Sequence, residues 1–302
     1  MTAAEPARPP DWPGEVPLPF TEAGAKVRAA LRERSAAPVQ PLGTLEAPVV
    51  RFAEVQGNAP PRPFARIRAL VLGGSGELDP PLAALAESAG ATPVAVSAES
   101  VEAGAAVVDR EVDAGADLFV PVVVGGGPAV AAATVAAVLT GTEPARAVGW
   151  TGDDREWMRA CAEVRNRLRR MRLATRPADP GDDPWRLLEL AGSPALASLV
   201  GVLVQAAVRR TPVLLDGVVV AAAAMLGGAL DRGAVDWWMV PDRGTDPVAR
   251  AVWERLRLDP VDGEAPVDLR LRLGGGAGAL AALPMLQAVL AAAAALPVFA
   301  AR

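Results

Sequence analysis

The chain has 302 residues, of which 51% are hydrophobic, and its mean hydropathy is +0.26; that is enough apolar material to fold around a large core and too much for a disordered chain. A formal charge of -5 from 35 acidic and 30 basic residues, with the basic ones scattered, offers no footprint for nucleic acid. Histidine and tyrosine are absent, Lys26 is the single lysine and Cys161 the single cysteine, so histidine bases, histidine or thiolate metal sites and intrachain disulfides are excluded by arithmetic.

Residues 1–14 carry prolines, acids and arginines without an apolar run and read as a loose leader, neither a signal peptide nor an anchor; a cytosolic address follows as the default. Ala25, Val27, Ala29 and Leu31 predict a helix over 21–33, interrupted by the prolines at 38 and 41. Pro60, Pro61 and Pro63 form a linker. Residues 67–72 then read as a short buried strand running into Gly73-Gly74-Ser75-Gly76. The unit repeats: a strand over 92–96, a helix over 98–114, and a continuous apolar strand over 118–124 that ends at Gly125, Gly126 and Gly127.

Within 155–172, Trp157, Cys161, Val164, Leu168 and Met171 recur at helical spacing, so Arg159, Arg165, Arg169 and Arg172 are the wet face of an amphipathic helix and Cys161 is a small core residue. Further strands are predicted over 212–215, running into Asp216-Gly217, over 237–240, running into Pro241-Asp242-Arg243, and over 267–273, running into Gly274-Gly275-Gly276. Residues 274–301 carry no charge and are long enough to span a bilayer, but Pro284, Gln287, Pro297 and the predominance of alanine predict a buried terminal helix and no membrane partner.

Strands alternating with helices and closed by glycine turns predict an α/β fold with a doubly wound, mostly parallel sheet. The expected division is a Rossmann-like α/β domain over 61–276 and a small helical subdomain from 15–60 and 277–302. Ligands of such sheets bind beyond the strand C-termini, so the ends at Gly73, Gly125, Asp216, Asp242 and Gly274 are expected to face one cleft.

Each motif in that cleft has two readings. Gly125-Gly126-Gly127 suits a phosphate cradle, because glycine lets backbone N–H groups approach closely, and equally a tight turn. Thr151-Gly152-Asp153-Asp154 contains ligand-binding groups that are also good helix caps. Asp216-Gly217 suits a ribose hydroxyl or a backbone turn. The cluster Gly274, Gly275, Gly276 and Gly278 contributes no acid, base or nucleophile.

The order of these motifs resembles one family from about Ala36 onward. Pro41-Leu42-Gly43-Thr44-Leu45-Glu46 is similar to its Pro-Gly-Ser-Leu-Gly-Arg-Leu-Glu segment, and the stretch from Ala114 to Pro121 leads to the position of its Gly-Glu-Met-Gly-Ile-Gly-Asn-Thr loop. Val148-Gly149-Trp150-Thr151-Gly152-Asp153-Asp154 resembles Val-Gly-Arg-Gly-Thr-Gly-Ile-Asp-Asp, and Leu215-Asp216-Gly217 its Asp-Gly strand end. Arg243 and Pro247 fall within its Ser-His-Arg-Ser-Ala-Glu-Pro-Gly-His, and Leu273-Gly274-Gly275-Gly276-Ala277-Gly278-Ala279 is similar to Leu-Gly-Glu-Gly-Thr-Gly-Ala. The family is that of nicotinate-nucleotide:dimethylbenzimidazole phosphoribosyltransferases, which supply the lower-ligand nucleotide of cobalamin. The resemblance implies transfer of phosphoribose from nicotinate mononucleotide to a benzimidazole, with inversion at the anomeric carbon, no metal or redox cofactor, and a dimer. It also implies substrate-binding roles for Gly125, Gly126, Gly127, Thr151, Gly152, Asp216, Gly217, Arg243, Gly274, Gly275 and Gly276.

The departures fall on the chemistry. The family's base, the Glu of Leu-Gly-Glu-Gly, is Gly275; the Glu of its Gly-Glu-Met-Gly loop is Val123; and both histidine positions are lost, to Asp242 and Ala249. The long region after its first strand is cut to about 73–100. The carboxylates available instead are Glu77, Asp79, Asp216 and Asp242, of which the last two are expected at strand ends near the site. Three functions stay open: a family enzyme with retained or retuned transfer, a noncatalytic binding subunit paired with itself or with an active paralogue, and an unrelated α/β nucleotide-binding protein.

Overall fold

A computed structural model describes residues 12, 14–34, 42–96, 99–126, 128–149, 153–175, 179–258, 267–273, 275–296 and 299. Its centre is a five-stranded parallel sheet of β1 (Ile67–Leu72), β2 (Ala91–Val96), β3 (Leu118–Val123), β4 (Val213–Leu214) and β5 (Trp238–Met239), in the spatial order β2-β1-β3-β4-β5. Every residue of β3 is buried, which is what its unbroken apolar run demands of a central strand. β2 forms one edge, so the missing N–H of Pro93 breaks no ladder there.

Helices cover both faces. α3 (Pro80–Ser88) joins β1 to β2 and α4 (Val101–Asp113) joins β2 to β3; right-handed crossovers running in opposite directions put these two on opposite faces. α12 (Ala277–Ala294) packs beside α3, on β3 and on α2 (Glu46–Gln56), and α1 (Thr21–Arg34) lies against α2. On the other face α9 (Pro194–Val208) packs on α4 and α10 (Val218–Leu230). α5 (Ala129–Thr140) is ringed by α6 (Pro144–Val148), α7 (Asp154–Thr175), α8 (Pro184–Ala191), α10 and α11 (Pro247–Leu256). The buried apolar side chains form one continuous cluster, from Ala23 on α1 to Ala293 on α12.

α7 buries Val164, Leu168 and Met171 and exposes Arg159, Arg165, Arg169 and Arg172, as its spacing predicts. Cys161 is half-buried on the same helix. α12 is the one helix among the described residues that is long and apolar enough to cross a membrane, and half of it is buried within the chain. Leu280, Leu283, Leu286 and Leu290 face the core, and Gln287 closes two hydrogen bonds with the backbone of Phe64, both 2.8 Å, tying α12 to the entry of β1.

The predicted strand over 267–273 does not form. It makes a single parallel bridge, Asp242 to Val267, after which Arg270 turns to a φ of 52° and Leu269 and Leu273 stand 41% and 47% exposed. β4 and β5 are also shorter than expected, Trp237 belonging to a 3-10 helix. Pro121 explains the gap this leaves beside β3. The Phe119 N–H reaches Pro212 O on the β4 side at 3.1 Å, but the equivalent N–H two residues on does not exist. The β3–β4 ladder therefore ends at Phe119, and the Val123 N–H, next in the series, donates to Gly275 O at 3.3 Å. A loop from the end of the chain thus enters the split between two strands.

Candidate active site

The split opens a cavity of about 470 Å³ beyond the strand C-termini, a size suited to a small molecule. Gly74 and Ser75 from the loop after β1, Val123 to Gly125 at the end of β3, Asp216 after β4, and Leu273 and Gly275 from the late loop all line it. The expected convergence is therefore seen for the ends of β1, β3, β4 and the last glycine loop. Gly127, Thr151, Gly152 and Gly274 lie outside the described residues.

Close backbone approach builds this corner. A Cβ on Gly217, whose φ is 88°, would sit 2.9 Å from the Cα of Gly275, and one on Gly276 would sit 2.8 Å from Pro121 O. Only glycines let the Asp-Gly turn, β3 and the late loop meet. At Gly275 itself a Cβ is tolerated: its nearest neighbour, Val123 Cβ, would lie at 3.6 Å, an ordinary van der Waals contact. Val123 and Gly275, the positions at which the resemblance puts two glutamates, are paired across an antiparallel bridge and both line the cavity.

Asp216 reaches across to the start of α12, where its Oδ2 accepts from Gly276 N at 3.0 Å and Gly278 N at 2.8 Å. It is thus not confined to its own turn. Burial raises its pKa to about 6, opposed by the N–H groups of Gly278, Gly276 and Ala279 and reinforced by the charge of Asp242. Asp242 is buried behind the first turn of α12, with its Oδ1 accepting from Leu269 N at 2.8 Å, and burial also raises its pKa. Gly278 separates the two acids: its Cβ would lie 2.6 Å from Asp242 Oδ2 and 3.2 Å from Asp216 Oδ2.

The expectation for the four candidate acids is corrected in part. Asp242 does not line the cavity, because the chain turns behind α12 after β5, whereas Glu77 and Asp79 do, because the loop after β1 folds back over the opening. Asp79 also caps α3 through Leu82 N at 3.1 Å. Arg243 lies outside the cavity's described lining, half-buried, its backbone N–H bound to Val267 O; Gly126 is exposed and accepts from Ala129 N. Asp153 caps α7, accepting from Glu156 N at 2.7 Å, which agrees with the cap reading of its segment. The apolar walls at Val218, Val219 and Val220 had no motif to announce them; their signal was position, directly after a strand-end Asp-Gly. Among the described lining residues the charged groups, Glu77, Asp79 and Asp216, are all acidic.

A family model described as Phosphoribosyltransferase matches residues 84–301. A nicotinate-nucleotide:dimethylbenzimidazole phosphoribosyltransferase of Mycobacterium ulcerans (strain Agy99) is 37% identical, with 93% of each chain covered. The chain belongs to this phosphoribosyltransferase family. A second member, from Mycobacterium avium (strain 104), is 39% identical over 97% of this chain and 76% of its own. The alignment with the M. ulcerans member runs over 345 positions against the 302 residues here, so the family member carries segments this chain lacks. The fold is that of CobT from Thermus thermophilus, with a TM-score of 0.74 at 23% identity over 90% of this chain and 96% of that one.

Proposed function

We propose that the chain is a phosphoribosyltransferase of reduced rate, moving phosphoribose from nicotinate mononucleotide to a benzimidazole-type base in the cytosol. The observation that carries this reading is the cavity, whose walls come from the segments that carry the family resemblance: the loop at Gly125, the Asp216 turn and the late loop at Gly275. In this reading Gly125, Gly126, Gly127, Thr151 and Gly152 offer backbone N–H groups to the phosphate. Asp216, Gly217, Arg243, Gly274, Gly275 and Gly276 shape the ribose and base end, and the valines after Asp216 supply a flat apolar wall for an aromatic ring.

Reduced rate follows from the Val123–Gly275 pair, since neither residue can hold a proton and a general base contributes roughly 10² to 10⁴ in rate. Product formation from nicotinate mononucleotide at saturating dimethylbenzimidazole is the test. The expected turnover lies below that of a member with both glutamates, and Gly275→Glu, whose Cβ meets its neighbours only at ordinary contact distance, raises it without restoring it fully. The alternative compatible with the same paired loss is a noncatalytic subunit that completes or stabilises an active paralogue. Binding of nicotinate mononucleotide in a thermal-shift assay, with no product from either the wild type or Gly275→Glu, would select it. Either reading fits a dimer, with itself or with a paralogue, through the outer face of α12.

A further inference from the structure

The cavity keeps one carboxylate beside the place where the family's base is missing. Asp216 lines the cavity, and its Oδ2 is bound at 3.0 Å by the N–H of Gly276, the residue immediately after Gly275. Its own carbonyl oxygen is 3.8 Å from where a Cβ on Gly275 would stand. The two short hydrogen bonds go to Oδ2, while Oδ1 lies on the side of Gly244. Glu77 and Asp79 stand elsewhere on the wall, with the loop after β1, and Asp79 is already committed to capping α3.

We propose that Asp216 takes the acceptor's proton in place of the carboxylate that Gly275 lacks, and that Asp242 behind it sets the pH range in which it does so. This rests on the transferase reading above. In the balanced step, the unprotonated ring nitrogen of the benzimidazole forms a bond to C1′ of the ribose. The C1′–N bond to nicotinate breaks, its electron pair staying on the nicotinate ring nitrogen, and the N–H proton from the other benzimidazole nitrogen passes to the Asp216 carboxylate.

The surroundings make Asp216 a better base than an exposed aspartate. The groups facing it are the N–H dipoles of α12, which favour its charge, and Asp242, which opposes it across the space left empty by Gly278. Asp268 lies beyond Asp242 and pairs with Arg270 at 3.1 Å; Glu77 and Asp79 lie across the cavity; no Lys or Arg is among the described lining residues. With burial, this set brings Asp216 to about 6, close to the pH at which a base is both ionised and strong enough to accept a proton. Asp242 touches no substrate in this scheme and acts as a positioning residue through its charge.

The test is the pH dependence of kcat/KM for nicotinate mononucleotide at saturating dimethylbenzimidazole, for the full chain and its variants. The wild-type rate is expected to rise with pH through about 6 and then level, over and above the acceptor's own titration, which all variants share. Asp216→Asn should lose roughly 10²- to 10⁴-fold together with the rise near 6. Asp242→Asn should keep the rise but shift it to lower pH, since the opposing charge is gone, with the KM for nicotinate mononucleotide unchanged. Adding Gly275→Glu to Asp216→Asn should recover product, showing that the variant still folds and binds. An Asp216→Asn variant with the wild-type rate and profile overturns the proposal. So does a wild type that makes no product where Gly275→Glu does, an outcome that leaves the family reading standing; no product from either overturns both.

Discussion

At neutral pH the Asp216 carboxylate carries a charge that its surroundings resist, and that has a consequence for stability separate from any chemistry. Its native pKa of about 6 lies above the ordinary value of 3.8 that it regains on unfolding, so the native state holds this proton more tightly than the unfolded one. Its contribution to stability is therefore greatest below about pH 4, falls as pH rises from there to about 6, and is level above that, a loss of roughly 3 kcal/mol for this group alone. Burial raises Asp242 and Asp246 in the same direction. Urea unfolding at pH 4.5 and 7 should show a smaller difference for Asp216→Asn than for the wild type, and an equal difference would place the effect elsewhere. That Asp216 sits at a strand end was readable from Leu214-Leu215-Asp216-Gly217 alone. That it binds the first turn of a helix 62 residues later was not, because the contact depends on two glycines, Gly217 and Gly275, meeting in space. Glu77 and Asp79 were harder still, since the direction in which a glycine loop leaves a strand is set by what it packs against.

Between elements, α4 and α9 cross in close backbone contact. A Cβ on Gly104 would lie 1.9 Å from Ser198 O, and one on Gly201 would lie 1.9 Å from Val101 O, so the two backbones touch where no side chain intervenes. Backbone atoms cannot swing aside, and Gly201→Ala or Gly104→Ala should each cost about 3 kcal/mol or more by forcing the helices apart. A shift in the urea midpoint of either variant checks this; wild-type stability would mean that the crossing is looser than described. Largely apolar runs made β1 and β3 readable, because a strand buried on both faces needs nearly every residue apolar; half-buried Arg68 is the exception in β1. The segment 267–273 misled for a related reason. Val267, Leu269, Leu271 and Leu273 alternate with Asp268, Arg270 and Arg272 as a half-buried strand would, but alternation shows that a segment suits an edge, not that an edge is vacant. Here Asp242, past the end of β5, offers a single bridge to Val267. Pro121, which leaves β3 an unpaired stretch for the late glycine loop, carried the better signal: a proline in a central strand marks where the sheet opens.

For the whole molecule, the dimer that the resemblance implies calls for exposed apolar surface, and the late apolar helices differ in what they offer. The run over 192–208 is absorbed into the chain's own core as α9, whereas α12 leaves Ala288, Ala291 and Ala292 exposed on its outer side. Light scattering at micromolar concentration is expected to give a dimer for the chain alone or mixed with a paralogue from the same genome, and a strict monomer in both cases would remove the proposal. The fold class was readable because repeated strand–glycine–helix units admit few topologies; the cavity was not, because it depends on residues from four distant segments. Those segments also leave the ribosome in a fixed order. Gly73, Gly125 and Asp216 emerge while the wall that completes them, Leu273 and Gly275, is still unmade, and that wall is anchored by α12, whose Gln287 clasps Phe64 across 223 residues of chain. The cleft is thus completed only after all five strands are made, and a chain stalled between β5 and α12 has its sheet strands with the split between β3 and β4 unfilled. Such a stalled chain should be open to proteolysis at β3 and the glycine loops beside it, and unable to hold a ligand.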